Sequence, residues 1–255
     1  MSIELIIVGG CFTVQNNINP GDVFHRKLVK LMEIKSKNEF KVNIIRYERF
    51  NNCFEKIKFY RKNNPIDYLI FSIRSEQYLR LSKLYYKYQD RQKKVKRSLI
   101  IPFLNMIAPE KYDLLMMDLP VPNSKAAHQS YFHNFLVRLN YISGMIIGNN
   151  RFAINIYSQL IENIIKFCNN ENIKLLILGP ASRPHLQHED NLISEMNYYF
   201  KNLVLKRNVP YVELIGKYDE NGNDIFFPNK IHVNEIGHER ASKLIMNEMV
   251  RNSYI

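Results

Sequence analysis

The chain has 255 residues, 46% of them hydrophobic, and carries 36 Lys plus Arg against 24 Asp plus Glu for a formal net charge of +12. That is enough apolar material for one large core and too much for a disordered polyelectrolyte, so a single domain over 1–255 is expected. Residues 5–8 are too short for a secretory segment and no apolar run reaches the ~18 residues of a membrane span, which leaves a soluble, cytoplasmic protein as the expectation.

Leu5-Ile6-Ile7-Val8 is a continuous apolar run ending in Gly9-Gly10, the pattern of a buried strand meeting a tight turn. Phe24, Leu28, Leu31 and Met32 recur at three- and four-residue spacing among Lys and Arg, which predicts an amphipathic helix over 22–34. Residues 40–46 read as a second strand, 53–62 as a second helix ended by Pro65, and 67–73 as a third, buried strand. A fourth strand over 175–178 stops at Gly179-Pro180, and a shorter fifth spans 210–214. Helical patterns over 152–169 and 192–207 separate these last strands, and a final helix follows residue 238. Such alternation predicts an α/β fold with a central parallel sheet of about five strands and helices on both faces.

Residues 78–148 break the alternation. They are rich in Tyr and Met and interrupted by Pro102, Pro109, Pro120 and Pro122, yet too apolar for disorder. Two readings stand: a helical insertion forming a lid or dimer surface, or two core helices with a long connection. The densest basic run, Arg91-Gln92-Lys93-Lys94-Val95-Lys96-Arg97, fits either a solvated helix end or a contact with nucleic acid, an acidic carrier protein or an anionic membrane surface.

In an open parallel sheet, ligands bind beyond the carboxyl ends of the strands. After the first strand, Gly9-Gly10-Cys11-Phe12-Thr13 puts a thiol on a sharp turn where backbone N–H groups can face a developing oxyanion, and a nearby helix N-terminus favours thiolate. After the third strand come Arg74, Ser75 and Glu76; near the C-terminus, residues 226–238 hold His232 and His238. Cys53 and Cys168 read as small buried thiols, since three cysteines far apart make no disulfide framework. His25, His128 and His133 read as surface residues. His185, His188 and Glu189 lack the partners of ordinary zinc spacing, and Gly9-Gly10 lacks a third glycine for a dinucleotide fingerprint, so neither metal nor cofactor is expected.

Asn229-Lys230-Ile231-His232, followed by Val233-Asn234 and then Gly237-His238, resembles the last block of the SGNH (GDSL-like) hydrolases, D-x-x-H before a closing helix. Gly9-Gly10-Cys11-Phe12-Thr13 is similar to that family's first block, Gly-Asp-Ser, with cysteine in place of serine as in the G-S-C-F-A subgroup. The resemblance covers the whole chain, least securely over 78–148, and implies a three-layer α/β/α sandwich. It implies Cys11 as nucleophile, His232 as general base and Asn229 as orienter, with Gly10, Ser72, Arg74 and Arg183 on the oxyanion and substrate side. A Cys–His–Asn set is chemically coherent, because a thiol needs less activation than a hydroxyl. His238 takes the family's packing position. Two blocks depart from the pattern: no second-block glycine stands between 43 and 53, and Ser72-Ile73-Arg74 replaces Gly-x-Asn. Arg74 could stabilise an oxyanion, clamp a carboxylate or phosphate, or form a structural ion pair with Glu76 or Asp67.

The expected function is acyl transfer through an acyl-Cys11 thioester, as esterase, thioesterase or acyltransferase. The substrate would be a small acyl ester or thioester, with an acidic acyl-carrier protein or coenzyme A as possible donor and no stable nucleic acid partner. A non-catalytic binding protein on the same fold is the alternative, and a nucleic-acid-binding role, resting on charge alone, comes third.

Overall fold

The first strand, β1 (Ile3–Gly9), leads through a 3-10 turn and helix α1 (Phe24–Ser36) to β2 (Phe40–Arg46), α2 (Phe50–Asn63) and β3 (Tyr68–Ser72). After α3 (Ser75–Leu81) come strands β4 (Tyr85–Gln89) and β5 (Val95–Leu99), then α4 (Tyr131–Ile146) and α5 (Asn149–Asn170). The chain closes with β6 (Lys174–Leu178), α6 (Gln187–Leu205), β7 (Tyr211–Val212) and α7 (Glu235–Arg251). These elements come from a computed structural model that describes residues 2–13, 18–47, 50–89, 95–99, 131–184, 187–214, 216–228 and 232–255.

Five strands pair in the order β2-β1-β3-β6-β7, all parallel, so the strand order reverses direction at β1 and β3. Both faces are covered, which is why β1 reads as an unbroken apolar run rather than an alternating one. Leu5 and Ile7 point into a cluster with Phe24, Leu28 and Met32 of α1 and Ala241, Ile245 and Met249 of α7. Ile6 and Val8 point the other way, into a cluster with Ile57 of α2, Ile161 of α5 and Phe200 of α6. Truncating one of these fully buried aliphatic side chains to Ala would cost ~2–5 kcal/mol. This is the expected α/β sandwich. Among the described residues no helix is long and apolar enough to cross a membrane.

Three expectations need correction. The stretch read as a helical insertion contains an antiparallel hairpin, β4–β5, that stands outside the main sheet. Its strands are built from Tyr85-Tyr86-Lys87-Tyr88 and Val95-Lys96-Arg97, and the aromatic and β-branched content wins over the helical reading. The basic run therefore ends on a strand rather than at a helix end. His25 is buried, not on the surface: it lies three and seven residues before Leu28 and Met32, on the stripe that α1 turns inward. His128 lies outside the described residues, as does the His133 side chain. Cys53 and Cys168 are buried free thiols as expected, and burial pushes both up, Cys168 to about 12.

Candidate active site

The turn after β1 is held by one residue. Thr13 donates to the Gly10 carbonyl twice, from its backbone N–H at 3.0 Å and its hydroxyl at 2.8 Å, which winds residues Cys11–Thr13 into a 3-10 turn. No side chain fits at position 9, where a Cβ would lie 2.3 Å from Thr13 Cγ2. Cys11 thus has its backbone in a tight turn at the carboxyl edge of the sheet, and its thiol lies outside the described side chains. Gly10 and Phe12, on either side of it, line a cleft shared with Ser72, Arg74, Arg183 and His232.

Phe12, Phe24 and His238 form a cluster of nearly parallel rings, with Phe12 4.8 Å from each of the others and those two 6.0 Å apart. Nδ1 of His238 accepts the Phe24 backbone N–H at 3.2 Å, which ties α1 to α7. Burial, with the nearby His25 and Lys27, pushes the His238 imidazole down to about 4. It is a neutral packing residue, as expected.

His232 reaches the cleft from a self-closed loop. The Phe227 N–H donates to the His232 carbonyl at 2.9 Å, and the Asn234 N–H donates to the Ile225 carbonyl at 2.9 Å. Asn234 then caps α7: its side chain accepts from the Gly237 N–H at 3.1 Å, while its amide donates to the Asp224 carbonyl at 2.8 Å. Half-buried, His232 is held below the ordinary imidazole range by desolvation and by the Arg183 charge, with Glu76 pulling the other way. Above that lowered value the ring is neutral and able to accept a proton. Asn229 lies outside the described residues.

The charged groups of the cleft form a chain. Arg74, almost fully buried, donates from Nη1 to the Tyr47 carbonyl at 2.5 Å, lies over the Tyr47 ring and directs Nε toward Glu76 Oε2 at 3.6 Å. The Arg74 N–H donates to the Tyr47 hydroxyl at 3.2 Å, that hydroxyl donates to the Ser72 carbonyl at 3.1 Å, and the Tyr157 hydroxyl donates to the Arg74 carbonyl. Glu76 also faces Arg183 at 3.7 Å, and Arg183 pairs with Glu189 at 2.7 Å. The Tyr141 hydroxyl of α4 donates to Glu189 at 3.0 Å. Burial opposes the Glu189 charge, but Arg183 and Lys83 hold its carboxyl below the usual range. Two guanidinium groups thus meet two carboxylates, and the ion pair of Arg74 with Glu76 is the structural pairing the sequence had left open.

No family model matches the sequence and no curated protein matches it. Solved structures do match over nearly the whole chain. TesA superposes with a TM-score of 0.56 at 9% identity, covering 98% of this chain and 99% of its own. A lipase/acylhydrolase from Enterococcus faecalis gives 0.53 at 11% identity over 97% and 95%, and a G-D-S-L family protein from Desulfitobacterium hafniense DCB-2 gives 0.52 at 9% over 97% and 99%. The fold is that of the SGNH hydrolases.

On the SGNH fold, Gly10, Ser72, Arg74, Arg183 and His232 line one cleft at the edge where the strand order reverses. Sequence reasoning missed Tyr47, which follows β2 where a second-block glycine was sought, and whose hydroxyl and carbonyl hold Arg74. Its position directly after a strand of the sheet was the available signal. Glu189, weighed above as a metal ligand, is instead taken up by Arg183 and Tyr141, while His185 lies outside the described residues.

Proposed function

We propose that the protein is an acyl-transfer enzyme, an esterase or thioesterase in the first instance, working through an acyl-Cys11 thioester. The observation that carries this reading is the cleft: His232 lines it together with Gly10 and Phe12, the two neighbours of Cys11. The SGNH fold supports it, and the lipase/acylhydrolase it resembles performs chemistry of this class.

In this mechanism neutral His232 takes the Cys11 proton as the sulfur attacks the acyl carbonyl carbon. Backbone N–H groups of the Gly10–Cys11 turn face the resulting oxyanion. The intermediate collapses with departure of the alcohol or thiol, which takes its proton from the His232 imidazolium. Water, or an acceptor alcohol or amine, then attacks the thioester with His232 again as base, and free Cys11 returns. Asn229 orients the imidazole, and an amide suffices because a thiol is the more acidic nucleophile. Arg74 and Arg183 are both offset by carboxylates, which favours an uncharged acyl group in the cleft. The phosphates of coenzyme A or of a carrier protein would then rest outside it, on the basic exterior.

The test is intact-mass analysis after exposure to a short-chain p-nitrophenyl ester and to an acyl thioester. An acyl adduct should map to Cys11, and hydrolysis should vanish in Cys11→Ala and His232→Ala. Undiminished hydrolysis in Cys11→Ala would overturn the proposal. So would thiol alkylation no faster at Cys11 than at buried Cys53 and Cys168.

A non-catalytic binding protein on the same fold is the second reading. Ser72-Ile73-Arg74 favours it, because the arginine standing at the family's oxyanion-donor position is committed to Tyr47 and Glu76. The same experiment separates the two.

A further inference from the structure

A second hollow opens off the cleft. Phe12, Ala181, Leu214 and Val233 line both. Phe12 follows Cys11 in the chain and Val233 follows His232, so the hollow begins between the neighbours of the proposed nucleophile and of its proposed base. One face of α7 forms another wall. Its Gly237, Arg240, Ala241 and Leu244 fall at i, i+3, i+4 and i+7, and a glycine and an alanine among them leave space between helix and loop. The loop itself is fixed: Phe226 and Val233 pair as an isolated antiparallel bridge, and a Cβ at Gly237 would lie 2.2 Å from Val233 Cγ1.

The hollow is apolar. Among the described residues that line it Arg240 is the only charged one, and its charge acts on the Asp219 carboxylate. Phe12, Leu214 and Leu244 pack against the core cluster between the sheet and helices α1 and α7, yet each stays half-buried. Covering that remaining surface favours an apolar occupant. Counted to its open mouth, the hollow measures about 290 Å³. At ~30 Å³ for a group the size of a water molecule, a chain of about ten carbons is the upper limit, and the mouth's share makes the fitting chain shorter.

We propose that this hollow is an acyl-chain subsite that takes a short, uncharged aliphatic acyl group of roughly four to six carbons. The proposal rests on the acyl-Cys11 reading and gives that reading its substrate class. A chain attached at Cys11 has two directions open to it. On one side it meets Arg74, Glu76 and Arg183, and methylenes laid against those charges would strip them of solvent at a cost. On the other side it passes between Phe12 and Val233 and meets Leu214, Ile225 and Leu244. The acyl chain takes the second path, and the leaving alcohol or thiol keeps the charged side. A chain ending in a carboxylate gains little here, because the Arg240 charge already acts on Asp219.

The experiment has a binding arm and a kinetic arm. Cys11→Ala, which cannot form the thioester, is titrated with acetamide, butyramide, hexanamide and decanamide, with binding followed by ligand NMR. Affinity should rise about fourfold for each added methylene, the fold-change of ~0.8 kcal/mol, as far as hexanamide and no further. Leu244→Trp in the same background should erase the gain beyond acetamide. Leu244→Ala should move the break to a longer chain, and it carries the test alone if the tryptophan variant does not fold. In the parent protein kcat/KM for the matching p-nitrophenyl esters should follow the same order. Affinity indifferent to chain length, or a length preference untouched by both Leu244 variants, would overturn the proposal. Tighter binding of succinamate than of butyramide would overturn it too, assigning the hollow to a charged chain. Amide binding as expected without ester hydrolysis would remove the acyl-Cys11 reading and leave the chain site standing, whereas hydrolysis without length dependence would do the reverse.

Discussion

Arg74 occupies the space that any side chain at position 10 would need: a Cβ on Gly10 would lie 2.3 Å from Arg74 Nε and 2.7 Å from its Cδ. Arg74 cannot simply swing away, because Nη1 is bound to the Tyr47 carbonyl at 2.5 Å in a buried site. Gly10→Ala should therefore destabilise the fold by ~1–3 kcal/mol and depress activity, as overpacking does. Arg74→Ala should itself cost ~1–3 kcal/mol, because it leaves the buried Tyr47 carbonyl without its donor. Urea unfolding of both variants and of the double variant checks this. If Gly10→Ala costs as much with Arg74 present as with Arg74→Ala, the two side chains do not share that space.

In the proposed mechanism the catalytic pH profile follows from His232. Burial and Arg183 lower its pKa, and the base must be neutral to act, so the acid limb of kcat/KM should lie below the ordinary imidazole value of 6.5. Glu76 is the one cause that raises it, so Glu76→Gln should move the limb to still lower pH. A limb above 6.5, or one that Glu76→Gln shifts upward, would contradict this arrangement.

Thiol and amide should work as a matched pair. Cys11→Ser should be nearly inactive, since a hydroxyl needs a stronger base than an Asn-oriented imidazole. Adding Asn229→Asp should partly restore the serine variant and give little to the cysteine enzyme. Equal effects of Asn229→Asp in both backgrounds, read as kcat/KM, would uncouple the two positions.

Buried histidines make the fold acid-sensitive. The folded His238 pKa is about 4 against 6.5 for an unperturbed imidazole, so between those values the unfolded chain binds a proton that the folded chain does not. Stability should fall as pH drops from about 6.5 toward 4, by roughly 3 kcal/mol for this group, and level off below. His25, lowered to about 4 in the same cluster, adds to the slope. His238→Phe should lower stability at pH 7, by leaving the Phe24 N–H without its acceptor, yet flatten the dependence. Urea midpoints measured across this range decide it; an unchanged slope in the variant would assign the acid sensitivity elsewhere.

How much of this was legible depended on whether the signal was local. Leu5–Val8 could be read as a buried strand because both its faces are covered, and the turn at Gly9-Gly10 because no side chain fits there. The hairpin escaped because the proline-interrupted stretch around it was read as one unit, which hid the strand preference of Tyr85, Tyr86, Tyr88 and Val95. His25 escaped because one polar residue on an apolar stripe looks like the stripe's edge. The chain from Tyr47 to Arg74, Glu76, Arg183, Glu189 and Tyr141 joins helices α3, α4 and α6 with the loops after β2, β3 and β6, and residue spacing carries no trace of it.

The Phe24–His238 hydrogen bond spans 214 positions, and α7 packs on α1 through it. During synthesis β1 and its Gly-Gly-Cys turn emerge well before His232, which is carried in by the segment that docks with α7. Until then the nascent chain would hold the proposed nucleophile without its proposed base. Reactivity would switch on as a late, non-local folding event, and a ribosome-tethered chain stopped before residue 232 should display Cys11 as an ordinary, slowly alkylated cysteine.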